Sequence, residues 1–112
     1  MNPLAFIHLF VGLLMIAVCR PLVRRKIKMN HWYGIRIPAA FESEERWFEI
    51  NEYGGRLLSR CGVVIAAAAV PEFFLGKTYW PAGALAGAFV MMLALGVALW
   101  KIFHYAGVTK KS

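Results

Sequence analysis

Charge is scarce in this chain of 112 residues: only 17% of them are charged, while 60% are apolar. Soluble domains usually carry about 25% charged and 45–50% apolar residues. An ordinary soluble domain is therefore excluded. Intrinsic disorder is excluded as well, because so apolar a chain would collapse or insert into lipid. The length rules out a large enzyme core and leaves room for a single membrane domain, residues 1–112, with about two to four spanning helices.

Motifs for catalysis and metal binding are also missing. The sequence has no phosphate-binding loop, no G-x-S-x-G and no H-E-x-x-H pattern. Cys19 and Cys61 lack C-x-x-C spacing, and His31 and His104 are isolated, so neither a disulfide nor a metal site is predicted. We expect no cofactor and no metal, and we favour a non-enzymatic role.

Three long apolar segments predict an all-α integral membrane protein with three transmembrane helices. We place these helices at about 3–20, 56–75 and 80–103. The first segment has no Lys or Arg before it and is followed by basic residues instead of a small-residue cleavage site, so it indicates a retained helix and not a signal peptide. The third is the clearest span, with twenty uncharged residues from Pro81 to Trp100.

Small residues on the third segment predict close helix packing. Gly83 and Gly87 form a small-x-x-x-small pair, and Ala84 and Ala88 repeat it one residue later. We expect the second and third spans to form a tight hairpin. The same face could also serve a homodimer.

The basic residues predict the orientation of the three spans. Lys and Arg total 13 against six acidic residues, and nine of the 13 lie between Arg20 and Arg60. The short connection between the second and third spans holds only Lys77, whereas the C-terminal tail holds three lysines: Lys101, Lys110 and Lys111. Since cytoplasmic loops are enriched in basic residues, we expect the N-terminus outside and the C-terminus in the cytoplasm. Orientation and attraction to anionic lipid headgroups then explain the positive charge, and nucleic-acid binding is not needed.

The first loop, at about 21–55, differs in composition from the spans. Residues 22–29 form a short amphipathic stretch suited to the membrane surface. Ser43 has the features of a helix N-cap, which predicts a short amphipathic helix over about 44–53 in this cytoplasmic loop. Gly54 and Gly55 either end that helix or let another backbone come close.

The same loop carries a recognisable motif, a Y-G-I-R-x-P turn followed by S-E-E-x-W-x-x-x-N. It resembles the signature of the SdpI family of small bacterial membrane proteins, although Ile37 stands where a small hydroxylated residue is expected. The resemblance implies a multi-pass protein of the bacterial cell membrane that gives immunity against a secreted toxin. In some members the protein is also a receptor for a cytoplasmic regulator, so both a peptide toxin and such a regulator are expected partners. The residues that carry the resemblance are Asn30, Tyr33, Gly34, Arg36, Pro38, Glu44, Glu45, Trp47 and Asn51.

The motif also allows other interpretations. Arg36, with Trp32 and Tyr33 as interfacial anchors, could bind an anion or a lipid headgroup. Together with Glu45, Trp47 and Asn51 it would then suit a small membrane enzyme or a headgroup-binding protein. We prefer an ion pair between Arg36 and a nearby acid that holds the loop closed; the candidate acids are Glu44, Glu45 and Glu49. A third interpretation, a subunit or scaffold of a larger complex, is suggested only by the small size and the small-residue faces.

Two ionisable residues fall within the predicted spans. His8 and Glu72 each lie twelve residues from an arginine at the predicted inner boundary, Arg20 and Arg60, so both should sit about 18 Å above it. The two could therefore be neighbours, and our hypothesis is that the side chains touch as an intramembrane polar pair, because ionisable groups at such depth are costly in lipid and often mark functional sites. We favour the other interpretation, in which both are wetted at the outer interface and Glu72 pairs with Lys77.

Overall fold

A computed structural model of the protein describes residues 2–108. Lys110 and Lys111, which contribute to the predicted charge asymmetry, lie outside the described part. It contains three long helices, α1 (Pro3–Val23), α2 (Glu44–Glu72) and α3 (Trp80–Val108). Two short 3-10 turns, at Pro38–Phe41 and Lys77–Tyr79, precede α2 and α3. Each long helix is long and apolar enough to cross a membrane. The described residues are therefore all helix and loop, as the sequence predicted.

The helices run up, down and up, so the bundle has two ends. We call the end that holds the connection between α1 and α2 the loop end. The opposite end, with the short connection between α2 and α3, is the hairpin end. The protein is 55 Å long and 24 Å by 18 Å across, which exceeds the ~30 Å thickness of a hydrocarbon core. At least one end must therefore project into the headgroups or beyond.

Local signals in the sequence fix where the helices begin. The side chain of Asn2 accepts a hydrogen bond from the backbone N–H of Leu4 at 3.0 Å, and Pro3 opens α1. The hydroxyl of Ser43 accepts one from the N–H of Arg46 at 3.1 Å and caps α2. Such side chains satisfy backbone donors that have no partner inside the helix. The predicted N-cap at Ser43 is therefore confirmed.

The prediction of a separate short helix that could end at Gly54-Gly55 is wrong, because α2 runs unbroken for 29 residues. The two glycines instead allow close contact. A methyl group on Gly54 would collide with the side chain of Ile35, and one on Gly55 would lie 3.1 Å from Val23 Cγ2. Residues 22–29 also form no helix of their own, since α1 ends at Val23 and Arg25 adopts a positive φ of 57°.

The second and third helices pack against each other as a hairpin, as expected, but the closest helix pair is α1 with α2. A Cβ atom added to Gly12 would lie 2.5 Å from the carbonyl oxygen of Gly62, so the two backbones touch at this crossing. Gly83 and Gly87 of α3 pack closely on neighbouring segments as expected, because an added Cβ atom would lie 2.5 Å from Leu75 and 2.7 Å from His8, respectively. Contact between α2 and α3 includes the Cys61 thiol, 3.3 Å from the carbonyl of Ala94. The helices α1 and α2 approach each other most closely because Gly12 and Gly62 have no side chains that would keep the two backbones apart.

The buried apolar core lies at the loop end. Its members come from the 3-10 turn Pro38–Phe41 and from α2 and α3: Ala40, Trp47, Ile50, Ile102 and Ala106. Large side chains nearer the middle of α1 and α3, such as Phe10, Leu85 and Met92, are instead more than half exposed. In a multi-pass membrane protein those outward side chains face lipid. This core therefore packs α2 and α3 together at the loop end, and large side chains further along α1 and α3 face lipid.

Candidate functional site

The loop motif folds into a cluster that we call the clamp: the segment 30–36 together with Trp47 and Asn51 of α2. Asn51 is 1% exposed, and its side chain bonds to the backbone of Ile35 on both sides. Its Oδ1 accepts from the N–H of Ile35 at 2.6 Å, and its Nδ2 donates to the carbonyls of Ile35 at 3.3 Å and Trp47 at 2.9 Å. The side-chain amide of Asn51 thus bonds both the N–H and the carbonyl of Ile35, as the backbone of a neighbouring β-strand would.

Gly34 makes the fit of the clamp possible. Its φ of 122° lies in a region that side chains rarely adopt. A Cβ atom at this position would lie 2.8 Å from Asn51 Oδ1 and 3.0 Å from the ring of Trp47. Any larger residue would therefore meet both backbone strain and a collision.

Trp47 anchors the start of the loop. Its ring is fully buried, and its indole N–H donates to the carbonyl of Ile27 at 2.8 Å. Tryptophan needs such an acceptor when it is buried, because an unpaired N–H is costly away from water. Trp47 and Asn51 therefore hold two different loop segments from adjacent turns of α2.

Asn30 and Tyr33 shape the loop between these anchors. Asn30 Oδ1 accepts from the N–H groups of Trp32 and Tyr33 at 2.7 and 2.6 Å, and its Nδ2 donates to the carbonyl of Lys28. Such Asx bonds fold the backbone back on itself. The hydroxyl of Tyr33 donates to the carbonyl of Val18 and so ties the loop to α1.

Arg36 does not make the ion pair that we expected with Glu44, Glu45 or Glu49. Within the described part of the chain, its guanidinium donates to the backbone carbonyl of His31, and its side chain is exposed. Glu44 and Glu45 are exposed in the first turn of α2, where acids stabilise the helix dipole.

Near this acidic turn it is Arg46 that forms ion pairs, a role that was not predicted from the sequence. It is 8% exposed and donates from Nη2 to the carbonyl of Ala106 at 2.8 Å, in the last turn of α3. Its Nη1 also lies 3.2 Å from Glu49 Oε1, and its Nε lies 3.7 Å from Glu42 Oε2. A cation at a helix C-terminus satisfies free carbonyls and opposes the dipole. The Glu42–Arg46–Glu49 spacing could have indicated the pairs, but nothing local indicates Ala106.

Pro38 has a local role. It occupies the first position of the 3-10 turn Pro38–Phe41, where its missing N–H costs nothing. Beyond the clamp, Arg25 donates to Glu52 at 2.8 Å, and Glu52 also accepts from Arg56 at 3.2 Å. The Glu52 carboxylate raises the pKa of Arg25 above its usual value. Both pairs are exposed, so they contribute little to stability.

A second polar cluster, which we call the hairpin-end pair, consists of His8 and Glu72. His8 Nδ1 lies 2.8 Å from Glu72 Oε2, and the residues are 9% and 4% exposed. Helical side chains lean toward the N-terminus of their own helix, so His8 of α1 and Glu72 of the antiparallel α2 lean toward each other. Asn2 Nδ2 also donates to the backbone carbonyl of Glu72 at 3.3 Å. The structure thus brings the two expected residues together, and it buries them instead of wetting them.

One oxygen of this pair has no partner. Glu72 Oε1 is buried and makes no hydrogen bond to any described residue, and Lys77, the alternative partner, is exposed. The oxygen faces α3, where a Cβ atom on Gly87 would lie 3.2 Å from it and 2.7 Å from the imidazole. Glu72 Oε1 is therefore an unsatisfied buried acceptor, and glycine at position 87 leaves just enough room for the pair beside α3.

The described residues contain no cluster of three or more histidine, cysteine or acidic side chains that could hold a metal ion. Cys19 and Cys61 are free and buried. The sequence model of the SdpI/YfhL protein family matches residues 26–104, a range that includes the clamp and Glu72 but not His8. No curated protein and no solved structure matches the chain.

Proposed function

Because this multi-pass membrane chain belongs to the SdpI/YfhL protein family, we propose that it gives a bacterial cell immunity against a secreted antimicrobial toxin without catalysing a reaction. In this proposal the chain acts as an intact three-helix unit in the cell membrane. The loop end faces the cytoplasm and the hairpin end faces outward, in line with the excess of basic residues in the loop.

The burial and the hydrogen bonds of the motif residues support a non-enzymatic role. Trp47 and Asn51 are buried and spend their polar atoms on backbone groups of the loop. Arg36 is exposed and stands apart from the acidic turn of α2, so it does not form a pocket with Glu45. This arrangement favours a motif that holds the fold together over a small membrane enzyme that uses the same residues.

Contact with a secreted toxin belongs, in this proposal, at the hairpin end. Phe74 is 84% exposed and Tyr79 is 64% exposed, so two aromatic rings stand free beside the connection of α2 and α3. Directly below them lies the hairpin-end pair with its unpaired carboxylate oxygen. An amphipathic or cationic peptide entering the membrane from outside would meet aromatic surface first and the buried acceptor next.

A receptor role for a cytoplasmic regulator is supported by a different observation. Trp32 is 90% exposed at the tip of the loop, next to the exposed guanidinium of Arg36. Exposed Trp and Arg are the residue types most enriched at the energetic centres of protein interfaces. The loop end therefore offers a docking surface that the clamp holds in a fixed shape.

Expression in a sensitive bacterial host tests the immunity function. Cells with and without the protein are exposed to a panel of membrane-active bacterial peptides, and the lowest inhibitory concentration is measured. We expect wild-type protein to raise it for at least one peptide and F74A/Y79A to abolish the gain at equal protein level. F89A, which removes a lipid-facing ring of α3 that is 67% exposed, serves as the matched control. Equal survival with and without expression across the panel contradicts the proposal.

A further inference from the structure

A basic groove lies between α1 and α2 near the loop end. It has a volume of about 370 Å³ and is lined by two arginines from each helix, Arg20 and Arg24 with Arg56 and Arg60, and by the hydroxyl of Ser59. Each pair is spaced by one helical turn, so its two side chains lie on the same face. The groove therefore gathers four guanidinium groups from two elements.

Close contacts at glycines bring α1 and α2 together and so place the four arginines near one another. Gly55, next to Arg56, lies so close to α1 that a Cβ atom there would be 3.1 Å from Val23 Cγ2 and 3.4 Å from the carbonyl of Cys19. Gly12 and Gly62 bring the same two helices into backbone contact about two turns further along α2. This close packing places the four arginines near one another, where their charges repel.

The protein supplies little negative charge in return. No carboxylate lines the groove, and the nearby Glu52 is shared between Arg56 and the exposed Arg25. Among the described residues, Arg20, Arg24 and Arg60 have no ion-pair partner. An anion from outside the chain would therefore meet concentrated and largely uncompensated positive charge.

The residues around the arginines indicate which kind of anion would bind in the groove. Its remaining walls are the apolar side chains of Ile16 and Val23, on the side where α1 enters the lipid. Guanidinium groups bind phosphate oxygens in a bidentate manner, and Ser59 adds a hydroxyl donor. The volume is within the range of about 300–1,000 Å³ that is usual for small-ligand sites. We propose that this groove binds the phosphate of an anionic phospholipid headgroup, with the acyl chain along Ile16.

This site is independent of the immunity function, because it uses none of the residues assigned to toxin contact. Its test uses the full chain in mild detergent and native mass spectrometry, with phosphatidylglycerol, phosphatidylcholine and inorganic phosphate as separate ligands. We expect phosphatidylglycerol to bind more tightly than phosphatidylcholine. R20Q/R60Q should weaken that binding roughly tenfold to thirtyfold. R20K/R60K should retain only part of it, since the charge stays but the bidentate bonds of the guanidinium groups are lost.

K26Q/K28Q is the matched control, because it removes the same charge from two exposed lysines outside the groove. The site is supported if this control weakens binding by less than about threefold. Equal weakening by both pairs, or equal binding of the two lipids, overturns it. Phosphate binding that depends on Arg20 and Arg60 without any preference for lipid supports an anion site but assigns it to free phosphate. If R20Q/R60Q does not fold, R24Q alone is compared with K26Q.

Discussion

The imidazole of His8 and the carboxylate of Glu72 meet 2.8 Å apart, although 64 residues separate them in the chain. The contact joins the start of α1 to the end of α2 at the hairpin end, and both residues are at least nine-tenths buried. Each polar group satisfies the other in a place that lipid or packed helices would otherwise make costly.

We expect His8→Ala and Glu72→Ala each to lower the stability of the protein by about 3 kcal/mol, because each leaves its partner buried and unpaired. The double variant H8A/E72A should lose at least about 1 kcal/mol less than the sum of the single changes. Thermal unfolding in detergent micelles measures this cycle. Additive losses would show that the two side chains do not interact.

The crossing of α1 and α2 predicts an asymmetric response to alanine. Gly12→Ala places a methyl group 2.5 Å from the Gly62 carbonyl, so it should destabilise the protein by about 1–3 kcal/mol. Gly96→Ala has no heavy atom within 4 Å of the new methyl and should be neutral or stabilising by up to about 1 kcal/mol. Unfolding by heat in the same detergent compares the two. A similar loss at both positions argues against backbone contact at Gly12.

The clamp can be tested separately from the spans. Asn51→Ala removes three side-chain bonds to the backbone of Ile35 and Trp47, and we expect a loss of about 1–3 kcal/mol in stability. Limited proteolysis should then cut the loop between residues 26 and 37 faster while the helices stay intact. Glu44→Ala, on the exposed first turn of the same helix, is the control and should leave the cleavage rate unchanged. Slow cleavage in both variants would mean that Asn51 does not hold the loop.

Arg46 and Arg36 should differ in their effect on the end of α3. Arg46→Gln removes the bond to the carbonyl of Ala106, so amide hydrogen exchange at residues 104–107 should accelerate about tenfold or more. Arg36→Gln removes only an exposed bond within the loop and should not change exchange there. Exchange measured by mass spectrometry on peptides from α3 distinguishes the two. Equal protection in both variants would contradict the capping role of Arg46.

Sidedness is open to a direct measurement. With Cys19 and Cys61 replaced by serine, a single Trp32→Cys variant should react with a membrane-impermeant thiol reagent only after the cells are opened. A Lys77→Cys variant should react in intact cells, because we place the hairpin end outside. The reverse pattern would invert the proposed orientation and would move toxin contact to the loop end.

Features that depend on helix geometry could be predicted from the sequence. That His8 and Glu72 lie near each other could be anticipated from a constant rise per residue counted from Arg20 and Arg60. Ser43 predicts its own helix start through a local hydrogen bond. Neither inference needs to know how the helices are arranged around each other.

Contacts between distant segments could not be predicted in this way. Asn51 finds the backbone of Ile35 only after the loop has folded back on α2, and Arg46 finds Ala106 only once α3 has packed. Gly54-Gly55 was ambiguous for the same reason. Without the neighbours Ile35 and Val23, a pair of glycines in a helix is as consistent with a break as with a close contact.

The unbroken course of α2 has a mechanical consequence. Its 29 residues form a single rod of about 43 Å, with Trp47 near one tip and Glu72 at the other. A rod without a hinge rotates as one body. A rotation of α2 as one body about its long axis would therefore strain two distant contacts at once, that of Glu72 with His8 and that of Asn51 with Ile35.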